Sequence, residues 1–137
     1  VRTLSNAMDV GDPSNFTRIR EMFDDDHKQI SSFIHYFVAD DTQTQKAISE
    51  LYSREGYLLD PHGAIGYMAC QEQLEENTTG IFLETAHPAK FKNIVEKAVQ
   101  AEIELPTYLR EIRDMEKEAV EMPADYKRFK EWLRKVL

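Results

Sequence analysis

The stretch that most constrains the fold runs from Gly80 to Phe91, where an apolar segment gives way to polar residues and then to a proline. Residues 80–84 include the branched and aromatic side chains that favour strands, and Pro88 is typical of the first position of a helix. The pattern predicts a strand, a turn and a helix. In an open α/β sheet the carboxyl ends of the strands face the ligand crevice, so Thr85, at the strand's end, is well placed to contact a bound molecule.

Two further segments predict strands, Phe33 to Val38 and Tyr57 to Leu59. Strands that alternate with helices indicate parallel pairing. Three short strands make only a partial sheet, and two of them end in polar turns. We therefore expect an α/β fold with a partial, mostly parallel sheet, flanking helices and a helical carboxyl-terminal extension over 105–137, with 1–137 forming a single region.

The predicted helices begin at capping residues or prolines. The first has a capping box of Thr42 and Gln45 and ends at Gly56, and the second begins at Pro61 with Asp60 as its N-cap. Further helices are predicted at Pro88, Pro106 and Pro123. The apolar faces predicted from helical spacing are Ala47, Ile48, Leu51 and Tyr52; Ile65, Met68, Ala69 and Leu74; Phe91, Ile94, Val95 and Ala98; and Phe129, Trp132, Leu133 and Val136.

Charge and hydropathy exclude several classes of partner. With 25 acidic against 17 basic residues, the net charge of -8 argues against a nucleic-acid surface, which needs clustered Lys and Arg. No apolar run approaches the ~18 residues that span a bilayer, and no signal peptide is evident at the amino terminus. The sequence therefore predicts a cytoplasmic protein that binds neither nucleic acid nor membrane.

Neither a metal site nor a catalytic triad is predicted. The acidic run Asp24-Asp25-Asp26 lacks the spacing of a calcium loop and is interpreted as a solvated helix end. Cys70, the single cysteine, is expected to be buried and inert. There is no nucleophile elbow. The four histidines have no paired ligand spacing; they are His27, His35, His62 and His87.

Asp60 allows two interpretations. It is a plain helix cap, which is common for Asp before Pro, or it lies at the rim of a ligand crevice beside a helix amino terminus. The second strand-to-proline turn, from Thr85 to Pro88, repeats the arrangement. We expect both turns to lie at one rim.

Three segments carry a family resemblance: Thr3 to Phe16, Gly56 to Ala64, and Thr85 to Phe91. In order and spacing they closely resemble the carboxyl-terminal portion of threonine synthases, over nearly the whole chain. The resemblance implies a pyridoxal-phosphate enzyme of the fold type shared with the tryptophan synthase β subunit. It implies conversion of O-phospho-L-homoserine and water to L-threonine and phosphate.

The resemblance also implies that essential parts lie upstream. The lysine that forms the Schiff base and the loop that holds the cofactor phosphate belong to earlier segments of family members, so no catalytic residue is expected here. Lys90 is in a different motif and is excluded as that lysine. Because the chain begins at Val1 rather than Met, we expect a fragment, inactive alone, whose partner is the rest of the threonine synthase polypeptide. The alternative is a stand-alone α/β protein-interaction module.

Two cofactor-binding residues follow from the resemblance. Thr85 matches the hydroxyl residue that hydrogen-bonds the pyridine nitrogen, a neutral partner that leaves this nitrogen unprotonated. Asp60 matches an acidic residue near the cofactor's edge and is given a supporting role. Ala7 and Met8 are expected to wall the pocket.

Three residues depart from the family pattern. Asp12 stands where Asn is frequent, Gly63 where a larger residue is usual, and Glu84 where a small residue often precedes the threonine. Glu84 is expected to point away from Thr85 because neighbouring strand residues face opposite sides.

Overall fold

The computed structural model describes residues 2–6, 10–11, 13–113 and 115–137. The chain divides into two compact units, Val1–Glu104 and Leu105–Leu137. The first unit contains α1 (Phe16–Met22), α2 (His27–Phe33), α3 (Asp41–Glu55), α4 (Pro61–Gln73), a 3₁₀ turn (Pro88–Phe91) and α5 (Lys92–Val99); the second contains α6 (Thr107–Arg113) and α7 (Tyr126–Val136).

The predicted α/β fold with a partial parallel sheet is wrong for this chain. None of the described residues lies in a β-strand. Phe33 ends helix α2, while the rest of the first candidate and the segments 57–59 and 80–84 run without regular structure. Branched and aromatic residues favour an extended backbone locally, but a sheet also needs a neighbouring strand that donates and accepts hydrogen bonds. The described chain brings no such neighbour to these segments.

The N-cap of helix α3 lies two residues before the predicted cap. The capping box consists of Asp40 and Gln43, not Thr42 and Gln45. Asp40 Oδ1 accepts a hydrogen bond from the Gln43 amide at 2.8 Å, and Gln43 Oε1 accepts one from the Asp40 amide at 2.8 Å. The predicted end at Gly56 is confirmed: its φ of 68° is the left-handed conformation that glycine adopts without strain.

Helix α4 begins at Pro61 with Asp60 as its N-cap, as predicted. Its buried residues differ from the prediction and all lie in the first turn: Pro61, Gly63 and Ala64. Leu74 lies outside the helix and is exposed, and Cys70 is half-buried rather than buried. The predicted residues Ile65, Met68 and Ala69 are half-buried.

The core of the first unit lies where α3 packs against both α4 and α5. Three of its larger side chains are completely shielded from solvent: Ile48 of α3, Leu59 just before α4, and Val95 of α5. The remaining buried apolar residues are Ala47, Leu51, Ala64, Phe91 and Ile103. This core holds in place the amino terminus of α4 and the chain segments that precede and follow α4.

The second unit is helical and has no buried residues among those described in its two helices. The helices predicted at Pro106 and Pro123 begin just after these prolines, at Thr107 and Tyr126. In α7 the rings of Phe129 and Trp132 stack, with centroids 6.3 Å apart.

Candidate functional site

The segment from Ile81 to Ala86 alternates in exposure although it is not in a sheet. Ile81, Leu83 and Thr85 are exposed, whereas the residues between and after them are half-buried against the helices. Extended backbone turns successive side chains to opposite sides. Thr85 therefore presents its hydroxyl on an uncovered face that it shares with two apolar side chains, and the neighbouring Glu84 points inward.

Thr85 lies in an open cleft of about 460 Å³ between the second proline turn and the residues just before the first. Its lining is aromatic, aliphatic and hydroxyl-bearing, with one carboxyl group: Tyr57, Leu58, Glu84, Thr85, Ala86, His87 and Pro88. The two proline turns lie close together, since the Asp60 amide of the first donates a hydrogen bond to Glu84 beside the second, but no residue of the first turn lines the cleft. This placement comes from the core, which holds Leu59 before one turn and Phe91 after the other.

The carboxyl group of Glu84 connects the two segments. Its Oε1 accepts a hydrogen bond from the Asp60 amide at 2.8 Å, and its Oε2 accepts one from the Tyr57 hydroxyl at 3.2 Å. The donors belong to the segment that precedes α4, and the acceptor belongs to the residue before Thr85. Side-chain contacts, not a β-ladder, therefore join these two extended segments.

Gly63 makes this arrangement possible. A Cβ atom at position 63 would lie 2.3 Å from Glu84 Oε1, 2.7 Å from Cδ and 2.9 Å from Oε2. All three distances are far shorter than the contact distance of non-bonded heavy atoms, about 3.5–4.0 Å. The carboxyl group of Glu84 thus occupies the space of the missing side chain, so two of the three departures from the family pattern are in contact.

Asp60 is completely buried and does not line the cleft. Its Oδ1 accepts a hydrogen bond from the His62 amide at 2.8 Å, which caps α4. The same oxygen lies 2.7 Å from Nδ1 of the His62 ring. Asp60 is therefore a helix cap whose backbone amide also binds Glu84, and its carboxylate lies behind the rim of the cleft.

His62 completes the buried side of the cluster. Its ring meets the Phe91 ring edge-on, with centroids 5.1 Å apart. His62 Nε2 and Asp60 Oδ2 are buried and have no hydrogen-bond partner among the described residues. Buried polar atoms in native proteins are nearly always hydrogen-bonded, so we expect these two atoms to bind water or a group from outside the described residues.

Burial and charge shift the titration of the carboxyl cluster. Burial raises the pKa of Glu84 above its ordinary value of 4.5, and the neighbouring Asp60 carboxylate adds to the rise. Loss of solvent raises the pKa of Tyr57 as well, and the negative charge of Glu84 contributes. Burial and neighbouring negative charge therefore raise the pKa of both side chains in this cluster.

Lys90 lies outside the Thr85 cleft. It lines a different depression, together with Asn6 and residues 91–94, and its Nζ lies 5.6 Å from the centre of the Phe91 ring. The residues that line the Thr85 cleft include no lysine. Ala7 and Met8, predicted to wall the pocket, and Asp12 lie outside the described residues.

Two kinds of site are absent from the residue ranges that the structure describes. These ranges contain no group of three or more His, Cys, Asp or Glu side chains that could hold a metal ion. They also contain no helix that is both long enough and apolar enough to cross a bilayer.

Sequence reasoning missed three participants in this site: Tyr57, His62 and the close approach at Gly63. Two signals were present. Glycine is unfavourable within a helix and often marks a close contact, and Gly63 falls in the first turn of α4. Glu84 is two residues from Phe82 and from Ala86, and all three are half-buried. In an extended segment this spacing places the Glu84 carboxyl group on the inner side, where it needs hydrogen-bond donors.

Comparison with known proteins gives consistent matches. Residues 63–133 match the family model described as "Threonine synthase, C-terminal". The chain is 44% identical over 115 residues to a threonine synthase of Buchnera aphidicola (subspecies Acyrthosiphon pisum), covering 84% of this chain and 26% of that protein. The crystal structure of threonine synthase from Escherichia coli matches with a TM-score of 0.84 and 38% identity, over 98% of this chain and 31% of that one.

A second solved structure extends the comparison. The crystal structure of PLP-bound threonine synthase from Brucella melitensis matches with a TM-score of 0.73 and 26% identity, over 98% of this chain and 34% of that chain. The chain thus spans only about a quarter to a third of the length of the relatives it matches.

Proposed function

The chain belongs to the threonine synthase family, and on that premise we propose that it forms the carboxyl-terminal part of a pyridoxal-phosphate enzyme. The reaction is conversion of O-phospho-L-homoserine and water to L-threonine and phosphate. One observation carries the proposal: 98% of this chain matches the crystal structure of threonine synthase from Escherichia coli with a TM-score of 0.84. The lyase activity belongs to the whole polypeptide, of which this chain supplies one wall of the active site.

The residues of the Thr85 cleft fit one edge of the cofactor. A heteroaromatic ring needs apolar or aromatic walls and a neutral hydrogen-bond partner for its nitrogen, and the cleft offers Tyr57, Leu58 and the exposed Thr85 hydroxyl. The cleft has no lysine in its lining to bond the cofactor covalently. The fit is therefore to the ring-nitrogen edge, with the lysine and the phosphate-binding loop supplied by upstream segments.

Thr85 and Asp60 take different parts in this proposal. When bound, pyridoxal phosphate acts as an electron sink for carbanion chemistry. The Thr85 hydroxyl donates a hydrogen bond to the ring nitrogen without adding a negative charge that would favour protonation there. Asp60, completely buried, supports the rim from behind by capping α4 and donating its amide to Glu84.

The uncovered face of segment 81–85 supports the proposal that other parts of the polypeptide bind there. Ile81 is 83% exposed and Leu83 is 77% exposed. Burying apolar surface of this kind stabilises an interface by about 25 cal/mol per Å². We assign upstream segments of the same polypeptide as the partner of this face. The cytoplasmic location is a separate prediction, made from the sequence.

The test is to express the polypeptide from its whole reading frame and measure phosphate release and threonine formation from O-phospho-L-homoserine. We expect activity that depends on added pyridoxal phosphate, and no bound cofactor in the 137-residue chain alone. Lys90→Ala in the whole polypeptide is the control and should leave cofactor absorbance unchanged. A reading frame that begins at residue 1, or a whole polypeptide that binds no cofactor, would contradict the proposal and favour the interaction module.

A further inference from the structure

We propose that Glu84 is a positioning residue for the cofactor site: its carboxyl group, seated on Gly63 and bound by the Asp60 amide, fixes where the adjacent Thr85 hydroxyl meets the ring nitrogen. The inference rests on the proposed function. Glu84 borders the cleft, but its two carboxyl oxygens are already bound by the Asp60 amide and the Tyr57 hydroxyl, so we assign it no direct contact with substrate or cofactor. Its effect on the cofactor therefore passes through the backbone that the two residues share.

The need for such a device follows from the position of Thr85 in the chain. Segment 80–86 is not held by a β-ladder among the described residues, and its exposed side chains have no cover there. A hydroxyl group contributes a directional hydrogen bond only if its backbone is held in place. Glu84 supplies two hydrogen bonds that tie this backbone to the helix α4 cap, at 2.8 Å to the Asp60 amide and 3.2 Å to the Tyr57 hydroxyl.

Steric fit adds to these hydrogen bonds. The carboxyl group lies where a Cβ at Gly63 would be, with all three carboxyl atoms within 3.0 Å of that point. The Asp60 amide and the glycine together define a socket for this single carboxyl group.

The socket is rigid because its parts belong to the core. Leu59, directly before Asp60, is completely buried, as is Asp60 itself. On the other side, Pro88 and Phe91 are buried and follow Thr85 closely. The free stretch of chain between the socket and the core is thus short, and displacement of Glu84 must move Thr85.

The experiment uses the whole polypeptide loaded with pyridoxal phosphate and compares Glu84→Ala, Thr85→Val and the double variant. The readouts are the cofactor dissociation constant and the position of the cofactor absorption band, with kcat and KM measured alongside. We expect each single variant to weaken cofactor binding roughly five- to tenfold, the loss of about one hydrogen bond. The double variant should be no weaker than Thr85→Val alone, because Glu84 acts through Thr85.

Two further variants separate positioning from general support of the fold. Glu84→Gln retains an amide oxygen that accepts from Asp60 and should restore cofactor binding and the absorption band to nearly wild-type values. Gly63→Ala should reproduce the effect of Glu84→Ala, and its effect should vanish in the Glu84→Ala background. We expect kcat to fall more than KM changes, since substrate-binding groups lie elsewhere.

The outcomes distinguish this inference from the function on which it rests. If the wild-type polypeptide binds cofactor but Glu84→Ala binds it equally well, or if the effects of Glu84→Ala and Thr85→Val multiply, positioning through Thr85 is refuted and the proposed function stands. If Glu84→Gln is as weak as Glu84→Ala, the socket geometry is refuted. If the wild-type polypeptide binds no cofactor, both fail together.

Discussion

Replacing Gly63 with alanine tests the tightest contact beside the cleft. The added Cβ would lie 2.3 Å from Glu84 Oε1, so the carboxyl group must leave its place. It would then lose its hydrogen bonds to the Asp60 amide and the Tyr57 hydroxyl. Everything else about the substitution is favourable, because alanine is the better helix former.

The two contributions have opposite signs and different sizes. Alanine gains up to about 1 kcal/mol over glycine in a helix. Each lost hydrogen bond costs about 1 kcal/mol, and a buried amide left without an acceptor costs about 1–3 kcal/mol. The loss at Asp60 and Tyr57 together is therefore about 2–4 kcal/mol. We expect a net destabilisation of about 1–3 kcal/mol by Gly63→Ala.

Urea unfolding followed by circular dichroism measures this change directly. With a denaturant slope of about 1–3 kcal/mol per molar urea, the midpoint of Gly63→Ala should fall by roughly 1 M at an unchanged slope. Gly66 of the same helix is the matched control, because a Cβ there would lie 3.5 Å from Phe82 Cβ, an ordinary contact. Gly66→Ala should therefore leave the midpoint unchanged or raise it.

The same substitution in the Glu84→Ala background removes the clash. There Gly63→Ala should be neutral or stabilising, so the sign of its effect reverses with the residue at position 84. A rise in the midpoint for Gly63→Ala in the wild-type background, equal to that for Gly66→Ala, would refute the reasoning from the socket.

Two other measurements probe the cluster and the core. Burial, and then the Asp60 carboxylate, raise the pKa of Glu84 above 4.5 in the folded chain, so the folded chain binds this proton more tightly than the unfolded chain does. The free energy of unfolding should therefore fall as pH rises from about 4.5 through the folded-state pKa. Glu84→Gln, which keeps His62 and Tyr57 as neighbours, should lack this pH dependence. If the urea midpoints of the wild-type chain and of Glu84→Gln change with pH in the same way, the pKa argument is wrong. Leu59→Ala should destabilise the chain by about 2–5 kcal/mol because Leu59 is completely buried, whereas Leu58→Ala, at the half-buried neighbouring position, should cost clearly less; equal losses would contradict the core assignment.

Local stereochemistry made several features predictable. The end of α3 at Gly56 and the start of α4 at Pro61 follow from the left-handed preference of glycine and the fixed φ of proline. The predicted N-cap of α3 was wrong because Asp40 and Thr42 can both act as an N-cap, and each has a glutamine three residues later. Only Gln43 accepts a hydrogen bond from the amide of the observed cap, Asp40. Where one residue decides the geometry, the sequence is sufficient.

Non-local contacts account for what was missed. The extended conformation near Ile81 was predictable, but a sheet requires a second strand that the described chain does not provide. The contact of Gly63 with Glu84 joins residues far apart in sequence, and it depends on how α4 and segment 80–86 pack against one core. Thr85 could be singled out from its position after an apolar run, whereas the residues behind it could be identified only once the backbone was placed.

The mutual exclusion of a side chain at position 63 and a carboxyl group at position 84 also restricts the order in which the two residues can be exchanged. A protein with a larger residue at 63 and a small one at 84 reaches the present pair at lower cost by first acquiring Gly63, because Glu84 in its present position would otherwise meet an occupied site. The reverse path costs less if Glu84 is shortened first. The two positions are thus expected to change in a preferred order, and homologues with a large residue at 63 and glutamate at 84 should be uncommon.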